Sequence, residues 1–176
     1  MQKKSTVKNE FIIRAKQLYK KNLISGYSGW KNTDFKFIAP ANKEYVYHFL
    51  WDTCFHAIVL SNFDPDWAKE EIKNHLKAQW DDGFIPHIIF WKGDATSFPH
   101  WAFIESKPSL RPKTSALTQP PVIGIAVEEI YNKSQDKEFL KDVLPKISLY
   151  LKWLLKNRDP DQDGLISIIS PNESGM

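Results

Sequence analysis

Along most of this chain the apolar residues recur at the three-to-four spacing of a helix surface. Within residues 6–24, Phe11, Ile12, Ala15, Leu18 and Tyr19 form one stripe, with lysines on the other side. Residues 44–62, EYVYHFLWDTCFHAIVLSN, are apolar on nearly every side and end at Phe63-Asp64-Pro65, which predicts an interior helix. Asp64 or Asp66 can cap the next helix, in which Trp67, Ile72, Leu76 and Trp80 share a face and which Gly83 follows. Pro120 and Pro121 suit the first turn of a helix running through Tyr131. A last helix, from about 135 to 157, presents Val143, Ile147, Tyr150, Leu151 and Leu154, and Pro145 must kink or restart it.

The gaps between these helices are unequal. Residues 25–42 read as irregular, broken by Gly26, Gly29 and Pro40. Residues 81–119 carry Pro86, Pro99, Pro108 and Pro112 and no helical period; a loop of that length inside a compact domain is usually functional. No alternation lasts long enough to suggest a sheet. The expected class is all-α, helix pairs joined by alternating short and long loops, in a single region 1–176.

Composition narrows the function classes. Lys plus Arg number 24 against 21 for Asp plus Glu, and no block of five like charges occurs, which argues against nucleic acid or an anionic membrane as partner. The single cysteine, Cys54, cannot close an intramolecular disulfide and fits a reducing compartment. The start shows no apolar signal segment and no run could span a bilayer, so a cytoplasmic location is expected. Aromatic residues reach 14%, seven of them Trp. They serve either a core of large rings or a site that stacks flat ligands such as sugars.

A few polar residues stand in unusual company. Asp52 lies among Phe49, Leu50, Trp51, Cys54 and Phe55, and a carboxylate in such surroundings needs partners. It reads either as a cap or buried ion pair, or as a ligand-binding carboxylate beside a stacking Trp51. His56, one turn on, either packs or holds Asp52. Pro86 keeps its neighbour extended and fixes His87 between apolar residues, as a hydrogen-bonded core residue or a site residue. Pro120 likewise holds Gln119 extended, where its amide can serve a helix start or a polyol. Asp159, Asp161 and Asp163 alternate before Gly164, like the first half of a calcium loop. Position twelve would be Ser170, so a complete EF-hand is rejected; a looser calcium site and a plain polar turn both stay open. No nucleophile–base set, zinc motif or phosphate loop is found.

Taken in order, LWDTCFHA, DGFIPH, TQPP, RDPDQDGL and NESGM resemble glycoside hydrolase family 63, in particular its mannosylglycerate/glucosylglycerate hydrolase-like branch, a relative of the trehalases. The resemblance covers roughly residues 44–176. It implies about half of an (α/α)6 barrel and inverting hydrolysis of an α-glycoside, in which one carboxyl protonates the leaving oxygen and another activates water. It also implies a sugar-binding role for Trp51 and Asp52, a pocket lined by Tyr45, His87 and Gln119, and a supporting or substrate-touching role for Glu173. By the same resemblance the general acid is an Asp following Met176 and the base a Glu further on, so no catalytic carboxylate is expected among these 176 residues.

From this follow the expectations of a hydrolase fragment inactive alone, no required cofactor, and a small sugar glycoside as ligand. An exposed apolar flank should invite self-association or a complementary C-terminal chain. The rival readings are a non-catalytic carbohydrate-binding remnant and a purely structural helical domain.

Overall fold

The computed structural model describes residues 2–41, 43–93, 111 and 113–174, with side chains from residue 9 onward. Residues 94–110 of the long loop and the last two residues of the NESGM motif lie outside the described residues. Five helices dominate: α1 (Gln2–Lys21), α2 (Leu50–Leu60), α3 (Pro65–Leu76), α4 (Ile123–Ser134) and α5 (Lys137–Arg158). α2 packs on α3 and α4, and α4 packs on α3 and α5. Their inward faces, including Leu50, Ala57, Ile72, Ile123, Ile130 and Tyr150, make the main core. Among the described residues no helix is long and apolar enough to cross a membrane.

Helix starts follow from side-chain caps. The Asp64 carboxylate accepts from the backbone N–H of Trp67 at 3.2 Å with Pro65 at the first helical position, and Asp136 does the same for Phe139 at 3.0 Å. α5 runs on through Pro145 without restarting. Gln135, in left-handed geometry (φ 53°), makes the sharp turn between α4 and α5. α4 begins at Ile123, later than Pro120 and Pro121 suggest, because those prolines form the turn before it.

The helical class expected from the sequence holds in its coarse form: among the described residues five helices make up about half of the chain, with two short antiparallel strand pairs added to them. β1 (Leu23–Ser28) and β2 (Thr33–Ile38) form an antiparallel hairpin where the sequence reads as irregular, with Leu23 opposite Ile38 and Ser28 opposite Thr33. The alternation is present but short: Phe35 and Phe37 point into a second core with Ala78, Ile89 and Trp91, while Asp34 faces out. A second pair, β3 (His48–Phe49) and β4 (Ile88–Ile89), is followed by a bridge from Ile89 to Thr114. It shortens the expected 44–62 helix, because residues 48–49 are extended.

Gly83 ties the loop beyond α3 to α5. Its φ of +98° disfavours any side chain, and a Cβ there would lie 2.7 Å from the Leu149 carbonyl oxygen. This close approach starts the segment that carries His87. Elsewhere, several large apolar side chains stay exposed: Phe55 and Val59 on α2, Ile125 on α4, and Leu144, Leu151 and Leu155 on α5. In α1, Phe11 and Leu18 of the anticipated stripe are also exposed, and Tyr19 is its buried member.

Candidate functional site at the mouth of α2

The strand pair decides where α2 begins. β3 passes directly into the helix, so Phe49 stands extended at the N-cap and offers no capping side chain. The first N–H groups of a helix have no partner within it and need acceptors from elsewhere. The Leu50 N–H donates to the His87 carbonyl oxygen at 3.0 Å, and the Trp51 N–H donates to Gln119 Oε1 at 2.9 Å. Gln119 therefore acts as a cap supplied from a segment 68 residues away.

Rings gather around this helix end. Tyr45, exposed, meets Phe49 edge-on at 6.1 Å between centroids; Phe49 lies 5.5 Å from His87, and Trp51 lies 5.9 Å from Phe55. Asp52 is half-buried in the first turn. Burial pushes its carboxyl above the usual carboxylate range, while hydrogen bonds with its own backbone and the Trp51 side chain act in the opposite direction. Tyr45, Trp51, Asp52, His87 and Gln119 are thus brought to one end of one helix. A half-exposed carboxylate beside an indole can accept hydrogen bonds from a polyol whose apolar face rests on a ring.

His56 points elsewhere. It packs on Tyr19 at 5.1 Å and hydrogen-bonds the backbone of Ile38, and burial pulls its pKa down to about 4. Among the described residues no bond joins it to Asp52, so of its two expected roles the structure gives it packing.

Glu173 sits one step back from the mouth, in the 3-10 turn Pro171–Glu173 that Pro171 and the Ser170 cap begin. Its Oε1 accepts from the Thr118 N–H at 3.1 Å and from Arg158 Nη2 at 2.9 Å, and its Oε2 accepts from the Ile169 N–H at 2.9 Å. Buried and engaged by three protein donors, it supports its loop. Beside it a cavity of about 210 Å³ is lined by Gln119, Pro120, Leu154, Arg158, Ile168 and Glu173 among others. Thr118, Tyr150 and Arg158 hold this region together. In the sequence Thr118 and Arg158 are only members of the TQPP and RDPDQDGL motifs, and Tyr150 is one more apolar-face residue.

Asp159, Asp161 and Asp163 do converge, each with an oxygen within 4.8 Å of the others. Asp159 Oδ2 accepts from the Gly164 N–H and Asp163 Oδ1 from the Leu165 N–H, bonds that account for a polar turn in which Gln162 and Gly164 adopt positive φ.

Comparison with known proteins identifies the family. The family model for the mannosylglycerate hydrolase MGH1-like glycoside hydrolase domain matches residues 45–176. The chain is 34% identical over 141 residues to mannosylglycerate hydrolase MGH1 of Selaginella moellendorffii, covering 78% of this chain and 29% of that protein. It is 33% identical over 147 residues to the glucosylglycerate hydrolase of Mycolicibacterium hassiacum, covering 75% and 33% respectively. The crystal structure of the family 63 mannosylglycerate hydrolase from Thermus thermophilus, in complex with Tris and D-glycerate, superposes with a TM-score of 0.74 at 31% identity. That superposition covers 93% of this chain and 37% of the other. The chain spans about a third of the length of the curated relatives it matches. With a matching backbone and three quarters of its residues inside the family model, the chain belongs to the mannosylglycerate hydrolase MGH1-like glycoside hydrolase family.

Proposed function

We propose that this chain supplies the sugar-gripping part of an inverting α-glycosidase site, acting on a small α-glycoside such as mannosylglycerate, glucosylglycerate or a short α-glucoside. The observation that carries this reading is the mouth of α2, where Gln119 caps the first turn and leaves Trp51 and the half-buried Asp52 side by side. In this reading Asp52 accepts hydrogen bonds from sugar hydroxyls, Trp51 and Tyr45 offer ring faces, and His87 and Gln119 shape the pocket. Asp52 is neither general acid nor base. An inverting pair needs two carboxyls about 6.5–9.5 Å apart with room for water, and the resemblance puts both beyond Met176.

The helix pairs α2–α3 and α4–α5 would then form part of an (α/α)6 barrel, and the exposed apolar residues of α2, α4 and α5 would meet further helices of that barrel. The 176 residues alone should bind a glycoside without turning it over. Calorimetry with mannosylglycerate and glucosylglycerate, run beside a hydrolysis assay, tests both halves. Asp52→Ala should weaken binding by roughly ten- to a hundredfold, the usual effect of losing hydrogen bonds to a charged group. Measurable hydrolysis by the unmodified chain would defeat the inactive-alone half, and unaltered binding in Asp52→Ala would defeat the assigned grip.

A further inference from the structure

A continuous set of hydrogen bonds runs from the Ser170–Ser174 turn to the first turn of α2. Glu173 holds the Thr118 N–H, as described, and Thr118 Oγ1 lies 2.9 Å from the Ile85 carbonyl oxygen and 2.6 Å from the Tyr150 hydroxyl. That hydroxyl also lies 3.2 Å from the Gln119 carbonyl oxygen. Two hydroxyl hydrogens thus face three contacts, and since carbonyls only accept, at any moment either one hydrogen is bifurcated or one contact goes without. Next in line, the Gln119 side chain receives the Trp51 N–H. Every link is buried: Thr118, Gln119, Tyr150, Arg158 and Glu173 are all closed off from solvent. Buried polar groups linked this closely hold their elements together, because pulling them apart would leave still more donors and acceptors unmatched.

We infer that Glu173 is a positioning residue. Through Thr118, Tyr150 and Gln119 it fixes the geometry of the Trp51–Asp52 end of α2, so the turn before the chain's last residues and the sugar grip are set as one unit. Arg158 is its counter-ion from the end of α5, and it ties that helix to the same unit. The inference deepens the glycoside reading, because it matters for function only if the mouth of α2 is the sugar grip.

Amide hydrogen exchange followed by NMR tests it on the protein itself, with no ligand needed. The Trp51 N–H reports the far end of the network, since its acceptor is Gln119 Oε1. The interior α3 amides of Ile72 and Leu76 report the rest of the core. Tyr150→Phe should speed Trp51 exchange roughly tenfold, what losing one net hydrogen bond of local stability gives, and leave the α3 amides at their rates. Glu173→Gln also strands Arg158, so it should speed Trp51 by a larger factor than it speeds the α3 amides. Unchanged Trp51 exchange would overturn the inference. So would acceleration of Trp51 in step with Ile72 and Leu76, which would make Glu173 a general stability residue. Should Glu173→Gln fail to fold, Tyr150→Phe, which removes a single buried hydroxyl, decides the matter. The two readings can fail separately: absence of glycoside binding by the unaltered protein would sink the proposed function and leave the exchange result standing.

Discussion

Glu71 and Glu173 are buried to the same degree, 1% and 2% exposed, yet the two regions treat them in opposite ways. Glu173, at the turn behind the α2 mouth, has two backbone N–H donors and the Arg158 guanidinium. Glu71, on α3 beneath the β1–β2 hairpin, has the Ile38 N–H on Oε1 at 2.6 Å, and its Oε2 has no hydrogen-bond partner among the described residues. Desolvation raises the Glu71 pKa to about 8, against which the Ile38 N–H and Lys36 push only partly. Burial alone therefore says little about a carboxyl. The number and sign of its partners decide whether it is an ionic staple or an acid stored in its neutral form.

Removing Arg158 should produce the largest effect, because it strands Glu173 in a buried site. Arg158→Met should cost about 3–5 kcal/mol of stability, the usual penalty for breaking one side of a buried pair. Urea unfolding measures this directly. The double variant Arg158→Met/Glu173→Gln should be more stable than Arg158→Met alone, since it removes the stranded charge as well. If the single variant loses less than about 1 kcal/mol, the size expected of an exposed pair, Glu173 is not the ionic staple described here.

The Glu71 region should reveal itself by pH. Its folded pKa of about 8 exceeds the unfolded 4.5, so the folded state holds the extra proton and stability falls as pH rises between those values. Three histidines, His48 and His75 buried and His56 half-buried, oppose it. His48 accepts the Trp91 indole N–H on Nδ1, which its neutral form allows, and stacks on Phe37; His75 Nε2 donates to the Pro86 carbonyl oxygen, a contact that favours the charged ring but is outweighed by burial. Burial lowers His48 well below 6.5, His56 to about 4 and His75 to about 3. Their folded pKa values lie below the unfolded one, so their contribution is complete above pH 6.5 and is lost as pH drops. Stability should peak near pH 6.5: below it three histidines outweigh the one carboxyl where the windows overlap, and above it Glu71 acts without them. Glu71→Gln should flatten the alkaline limb and steepen the acid limb between about pH 4.5 and 6.5, where Glu71 opposes the histidines, each group being worth about 1.4 kcal/mol per pH unit across its window. Chemical denaturation at about pH 5, 6.5 and 8 compares the limbs, and an alkaline limb that survives Glu71→Gln would assign it to another group.

The helices were legible because periodicity and caps are local: Asp64 announces α3, and the spacing of Val143, Ile147, Tyr150 and Leu154 announces α5, before any tertiary contact is known. The hairpin was not, because one pair of phenylalanines alternating with Asp34 and Lys36 is too brief a signal, and its partner strand contains Gly26. The family motifs picked out Gln119 and Glu173, but not what they touch. Gln119 caps α2 instead of the helix that follows it, a pairing across 68 residues that no local pattern carries. What Arg158, Thr118 and Tyr150 hold becomes readable only when folding places them around one carboxylate.

The smallest expected effect is the finest probe of the contrast between the two glutamates. Lys36, on β2, is an opposite charge acting on Glu71, but it is half-exposed and also contacts Glu70 at 3.4 Å and the Trp67 ring at 5.7 Å. Solvent screens such a charge, so Lys36→Ala should change stability at neutral pH by at most about 1 kcal/mol. Its sign on titration is definite. Lys36 favours the ionised form of Glu71, so removing it should push the Glu71 pKa further up and carry the alkaline limb to higher pH. In a Glu71→Gln background the same substitution should leave the pH dependence unchanged. A shift of the limb that persists without Glu71 would mean that Lys36 acts through Glu70 or the hairpin, and that the buried acid is more isolated than its neighbours suggest.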